Sequence, residues 1–366
     1  MTETAAAATQ KTRVVNSYNE WDPLEEVIVG VLDGSAFLPW EIGLQAVKPA
    51  EHVRASKLYH SASGGKIVPP ESYAKAQVQL DGFVSLLQAE GAIVRRPEAI
   101  SHDKPFSTPE WSSPGGNCQA NPRDVLIVFG DEILEATMAM RSRYFEFFAY
   151  RELVKDYFKQ GARWTTAPKP RLDDRAFNPN YKRGEEYVVT EYEPLFDVAD
   201  MARCGRDVFI QLSHVTNRFG VEWLRRHFDG KYNFHIVEFE DDRALHIDAT
   251  FVPLRPGLIM TNPDRPLKYM PDILKKGGWD LVEAPRSTFP KDDPGYLSFL
   301  WLSMNVLSLD EKRVVVEENE KPLIDAMKSW GLDPIGIPFR ENYRFGGSFH
   351  CATVDVRRRG GLQSYF

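Results

Sequence analysis

Residues Asp124 to Ala136 read DVLIVF-GDE-ILEA: two β-rich apolar runs joined by a glycine and two acidic residues. This pattern predicts a hairpin, because turn residues sit between two runs that suit pleated strands. The theme returns at Thr250 to Thr261 (TFVPL-RPG-LIMT) and at Asn305 to Glu317 (NVLSL-DEK-RVVVE). Helical periodicity follows or intervenes. Tyr73 to Glu90 brings Ala76, Val78, Leu80, Phe83, Leu86 and Leu87 near one face, and Ser142 to Gln160 and Asn319 to Trp330 look similar. A recurring unit of hairpin plus helix predicts an array of small α/β units arranged around an axis.

The rest of the chain narrows the class. It has 366 residues, 43% hydrophobic and 27% charged, the composition of a globular protein with a large core. Length alone allows one large domain or two ordinary ones. Lys+Arg is 45 against 52 Asp+Glu, a net charge of −7, which argues against non-specific binding to nucleic acid. The 25 Gly and 25 Pro demand frequent turns and disfavour long helical bundles. Three scattered cysteines, Cys118, Cys204 and Cys351, with no CxxC pair, suggest neither a disulfide framework nor a thiolate zinc site. The cytosol is the default compartment. Residues 1–14 read as a loose tail rather than a signal peptide. No apolar run approaches a membrane span, and pieces such as Val27-Ile28-Val29 have strand length. Thr165 to Glu186, rich in Pro, Arg, Asp and Asn, reads as a surface loop. Neither GxGxxG nor GxxxxGK[ST] occurs, so nucleotide binding has no local support.

Several residue types point to chemistry. On a strand, His246 and Asp248 would share a face. The ordinary alternative is a hydrogen-bonded core histidine beside a surface aspartate. Cys351 follows Gly346-Gly347, which lets the backbone bend closely around a thiol. A buried inert cysteine is the common fate, and a nucleophilic one needs a positive or hydrogen-bonding neighbour, which His246 would supply in the fold. Asp124, Asp197, Asp200 and Asp248 recur near β-rich edges. Together they suggest a cationic substrate with many donors, such as a planar guanidinium. Arg357-Arg358-Arg359 would split between two strand faces as ion-paired or solvated charge, and Cys118 and Cys204 are given packing roles.

With these residues in view, the chain resembles the L-arginine amidinotransferases, of the glycine amidinotransferase type within the guanidino-modifying superfamily. The resemblance runs from about Ser17 to Tyr365. It is carried by Ser17–Gly30 (SYNEWDPLEEVIVG), Pro122-Arg-Asp124, Arg141–Glu146 (RSRYFE), Trp164–Pro170 (WTTAPKP), Phe196-Asp197 and Gly205-Arg-Asp207. It continues through His246–Phe251 (HIDATF), Asn262–Arg265 (NPDR), Trp301–Leu307 (WLSMNVL), Phe349-His-Cys351 and Asp355–Arg359 (DVRRR). The resemblance implies an α/β fold: a pseudo-fivefold α/β-propeller of ββαβ-type units, the pentein fold. One domain over residues 15–366 would then replace the two that length allowed, with the site at its centre.

The same resemblance implies Cys351 as nucleophile, His246 as general acid and base, and Asp197 as the third catalytic residue. Asp248 would be the second carboxylate on the guanidinium. Asp124, Arg265 and Ser298 would hold the amino-acid end of the donor. Two departures stand out. Phe299 replaces a second serine expected after Ser298, and Arg243-Ala244-Leu245 replaces an Asn/Met-type loop before the histidine. The implied reaction moves the amidino group of arginine to an acceptor amine through an amidino-cysteine, with ping-pong kinetics, no cofactor and no metal. Glycine is the leading acceptor, giving guanidinoacetate and ornithine; lysine or a larger natural-product amine is the alternative. An arginine-deiminase-like hydrolase and a non-catalytic guanidino-binding protein are the rival readings. The expected partners are these small molecules and, as the family suggests, a second copy of the chain.

Overall fold

The first hairpin forms as the sequence predicts, and its companions repeat it around an axis. The structure is a computed structural model describing residues 13–366, so most of the expected 1–14 tail lies outside the described residues. Strands Leu126–Phe129 and Glu132–Glu135 pair antiparallel, and Arg163–Thr166 adds to the second of them in parallel. A parallel neighbour needs a crossover. Helix Arg151–Gln160 supplies it and ends at Gly161 in a left-handed C-cap.

The same ββαβ order recurs. Met201–Cys204, Asp207–Gln211 and Asn233–Val237 form the next sheet, with helix Arg218–Phe228 as crossover. Phe251–Arg255, Leu258–Thr261 and Asp280–Glu283 follow with helix Asp272–Gly277. Leu307–Ser308, Arg313–Glu317 and Asp333–Ile337 follow with helix Lys321–Ser329. The fifth sheet joins distant parts of the chain. Strand Thr353–Arg358 lies antiparallel to Leu24–Val29, which pairs in parallel with Ile93–Arg95 across helix Ala74–Ala89. Five three-stranded sheets of one pattern make the α/β-propeller, and one short hairpin, Phe106–Ser107 with Ser112–Ser113, lies outside it.

Tight turns between the first two strands of a unit use glycine where φ is positive. At Gly130, φ is +64°, and an added Cβ would meet the Tyr18 ring at 2.9 Å. Helix Ala74–Ala89 buries Ala76, Leu80, Phe83 and Leu87, whereas Val78 is 72% exposed. Two residues along a helix turn about 200°, so Val78 cannot share the face of Ala76 and Leu80. Residues 165–186 are mostly irregular, with one short 3-10 turn at Asp174–Ala176. No described helix is long and apolar enough to cross a membrane.

The basic run near residue 358 alternates as expected. Arg358 is buried on Asp355 at 2.7 Å, while Arg357 and Arg359 turn outward to Glu25 at 3.1 and 2.8 Å. Asp355 also meets Arg123 at 2.6 Å and Arg203 at 2.7 Å. Arg203 reaches on to Glu20 at 2.9 Å. Three guanidinium groups around one buried carboxylate tie the strands of three units together, and they hold Asp355 far below the usual carboxylate range against the effect of burial.

Candidate active site

Each unit brings one loop to the axis just before its first strand, and the chemical groups sit on those loops. Asp124 precedes Leu126, Asp197 and Asp200 precede Met201, Asp248 precedes Phe251, Asn305 precedes Leu307 and Cys351 precedes Thr353. All six side chains are buried. Sequence-distant residues are thus gathered by the repeat itself.

His246 is the first correction. It is not on a strand but at the entry to the 3-10 turn Ile247–Ala249, with φ +53°. A non-glycine residue at positive φ is strained, and strain of this kind gathers at functional sites. The turn, rather than strand alternation, sends His246 and Asp248 to different partners. His246 Nε2 lies 3.2 Å from Asp197 Oδ2, and Nδ1 lies 3.5 Å from Asp124 Oδ1. Burial alone would lower the His246 pKa. The charge of Asp124 and the hydrogen bond and charge of Asp197 outweigh it and raise the value to about 10.

Asp248 takes the other side. Its Oδ2 lies 2.8 Å from His350 Nδ1 and accepts from the Cys351 thiol at 3.3 Å. Burial works to raise the Asp248 pKa, but the hydrogen bond and charge of His350 bring it below the ordinary value. The nearest polar partners of the sulfur are therefore Asp248 and Asn305, whose Nδ2 donates to Sγ at 3.2 Å; His246 is engaged by Asp197 and Asp124 instead. Burial, then the charges of Asp248 and Asp124, push the Cys351 thiol far above its ordinary pKa.

Around Asp124 and Asp197 stands Arg143, 2.8 Å from Asp124 Oδ2 and 3.9 Å from Asp197 Oδ2. Glu146 braces it at 2.7 Å. Asp124 Oδ1 accepts no hydrogen bond among the described residues, although it is buried. Asp200 accepts from Ser213 and Thr216, both at 2.6 Å, and burial lifts its pKa to about 7. Gly347 lies against the Cys351 side chain: an added Cβ would meet Cys351 Cβ at 2.4 Å and Asn121 Oδ1 at 2.6 Å. The loop is anchored from behind by Phe349, stacked on Phe339 at 4.3 Å and edge-on to Phe83 at 5.0 Å.

No family model matches the chain. The L-arginine:L-lysine amidinotransferase of Pseudomonas savastanoi pv. phaseolicola is 46% identical over 360 residues, 97% of each chain. The chain belongs to the amidinotransferase family. The mitochondrial glycine amidinotransferase of Danio rerio is 44% identical across 96% of this chain and 85% of its own. The solved amidinotransferase of Microseira wollei from the saxitoxin biosynthetic pathway superposes with a TM-score of 0.92 at 48% identity, covering 96% of this chain and all of its own. The chain is thus a transferase of amidino groups on the five-unit propeller.

Of the site residues named from the sequence of this amidinotransferase, Asp124, Asp197, His246, Asp248 and Cys351 fall into one buried, mutually charged cluster. Arg265 and Ser298 stand apart from it. Arg265 pairs with Asp241 at 3.1 Å and donates to Thr250 Oγ1 at 3.2 Å. Ser298 is exposed on the short helix Tyr296–Phe299, and no side-chain hydrogen bond ties it to the cluster among the described residues. Phe299, in place of the expected serine, packs on Phe289 at 5.8 Å. Arg243 of the divergent 243–245 segment donates to Leu297 O at 3.2 Å, two residues before Phe299.

Three contributors escaped the sequence reading: Asn305, Arg143 and His350. Asn305 Oδ1 accepts from the backbone N–H of Cys351 at 3.0 Å and of Ser348 at 3.2 Å. Its signal was its place, just before the first strand of a hairpin, equivalent to Asp124. Arg143 lay within the quoted RSRYFE motif, and His350 adjoined Cys351.

Proposed function

We propose that the protein moves the amidino group of L-arginine to an acceptor amine through a covalent amidino-Cys351, with residues 15–366 acting as one catalytic unit. The observation that carries this reading is a buried thiol sharing Asp248 inside a ring of carboxylates. A guanidinium would bring further positive charge and donors to these carboxylates.

Asp197 and Asp248 hold the guanidinium plane. Its positive charge offsets Asp248 and Asp124, which otherwise keep the thiol protonated, so the Cys351 proton leaves to solvent as arginine binds. The thiolate forms a bond to the guanidinium carbon. The bond from that carbon to the ornithine nitrogen breaks as His246, charged at neutral pH, gives that nitrogen its proton. Neutral His246 next takes a proton from the acceptor amine, which bonds to the amidino carbon and displaces the sulfur. One imidazole acting as acid and then base requires two half-reactions and ping-pong kinetics. Asp124 and Arg265 bind the amino-acid end of arginine. Ser298 joins them only if the helix Tyr296–Phe299 moves inward.

Glycine is the acceptor favoured by overall pattern, giving guanidinoacetate. Lysine is the second reading, supported by the 46% identity of the lysine enzyme over 97% of both chains. A panel of amines with labelled arginine, read by ornithine release and product mass, tests both. Citrulline and ammonia from arginine alone would point to a hydrolase and sink the transfer reading. No Cys351-dependent adduct and no turnover would leave only a binding protein.

A further inference from the structure

The transfer scheme above gives no part to His350, a buried titratable group beside the sulfur. His350 directs Nδ1 at Asp248 Oδ2, 2.8 Å away, and Nε2 at Glu20 Oε2, 3.3 Å away. A neutral imidazole has one N–H and one lone pair, so it would turn the lone pair toward a carboxylate. Two carboxylate contacts therefore call for both ring nitrogens to be protonated. Glu20 is itself fixed, held by Arg203 Nε at 2.9 Å and Nη2 at 3.0 Å. Arg203 is locked on Asp355 and Ser17 at 2.7 and 2.9 Å. A continuous chain thus runs from the ion-paired framework through Glu20 and His350 to Asp248, and ends at the sulfur.

Both the His350 and the Cys351 contact fall on Asp248 Oδ2; Oδ1 carries neither. We propose that His350 is a positioning residue: as an imidazolium it clamps one oxygen of Asp248 to the Glu20–Arg203 pair and presents the other, ionised, to the bound guanidinium. This rests on the amidinotransfer reading. The charged groups facing the ring are Asp248 from the turn Ile247–Ala249, Glu20 ahead of strand Leu24–Val29, and Arg123 on the helix Pro122–Val125; the Cys351 thiol lies beside it in the chain. Burial and Arg123 oppose the charge on His350, and the two carboxylates outweigh them.

The test compares wild type with His350→Asn and His350→Ala. Asparagine keeps a donor at the Nδ1 position but has no charge and no reach to Glu20. The expected result is a kcat/KM for arginine about tenfold to a hundredfold lower in His350→Asn, with its acid limb moved up by about one unit or more as Asp248 loses its cation. His350→Ala falls further. A purely structural role would lower activity without moving the limb. In the unliganded wild type, nitrogen-resolved NMR of the ring is expected to show both nitrogens protonated at pH 7, with Asp248→Asn lowering the ring's titration. A neutral ring at pH 7, or an unmoved acid limb in an active His350→Asn, overturns the assignment. A wild type that releases no ornithine from arginine overturns the amidinotransfer reading instead, and the clamp is then judged on the ring measurement alone.

Discussion

Two histidines stand in the acidic centre, and each directs both ring nitrogens at carboxylates, but the carboxylates differ. Those around His246 belong to the site. Asp197 and Asp124 have Arg143 as their shared fixed cation, and the Asp124 oxygen facing His246 is held only loosely, at 3.5 Å. Of those around His350, Asp248 belongs to the site and Glu20 leads outward into the Arg203–Asp355 framework. His246 also sits on strained backbone at φ +53°, whereas His350 is followed by the regular strand Thr353–Arg358. The difference teaches which imidazole can trade protons. In the proposed scheme both rest on a carboxylate that the substrate engages, but only His350 is also tied, through Glu20, to the ion-paired framework.

The sulfur between the two sides offers the sharpest cut. Cys351→Ala is expected to abolish ornithine release by about 10⁴-fold or more while arginine still binds, measured by initial rates and calorimetry. Turnover near wild type would remove Cys351 as nucleophile. Next comes His246→Asn, expected to cost about 10²- to 10⁴-fold in kcat, the usual range for a general acid and base. A loss confined to KM would place His246 in binding alone.

On the framework side the expected effect is on stability. Asp355→Ala leaves Arg123, Arg203 and Arg358 buried without their shared anion, at a cost of about 3–5 kcal/mol. Denaturant unfolding measures it, and an unchanged midpoint would show that the framework is not what holds the strands. The smallest effect concerns pH. Asp200 titrates at about 7 in the fold, against about 3.9 unfolded, because it is buried. Between those values the folded state binds the extra proton, so stability falls as pH rises from about 4 to about 7. Asp200→Asn is expected to flatten that decline by about 2 °C or more in Tm. An identical slope in both proteins would deny Asp200 its raised pKa.

Much of this was legible in the sequence where local rules decide. The hairpins at 124–136, 250–261 and 305–317 follow from turn chemistry and β-rich runs, and all three begin units of the propeller. The grouping of Cys351 with Asp248 and Asp124 came from a family resemblance, because contacts between loops of different units leave no local trace. The positive φ of His246 could not be read either, since only the surrounding units impose it. Asn305 was visible as a hairpin's first residue but silent as chemistry, because an amide has no titration to advertise. Val78 was misassigned because a list of apolar residues was taken for a face.

Strand Thr353–Arg358 pairs with Leu24–Val29, more than three hundred residues earlier, and Cys351 enters on the loop just ahead of it. During synthesis the carboxylates of three units and the Asn305 amide of a fourth are therefore made before the ring can close. A nascent chain holds the acidic groups without Cys351, and the thiol joins them only when the late strand zips onto the early one.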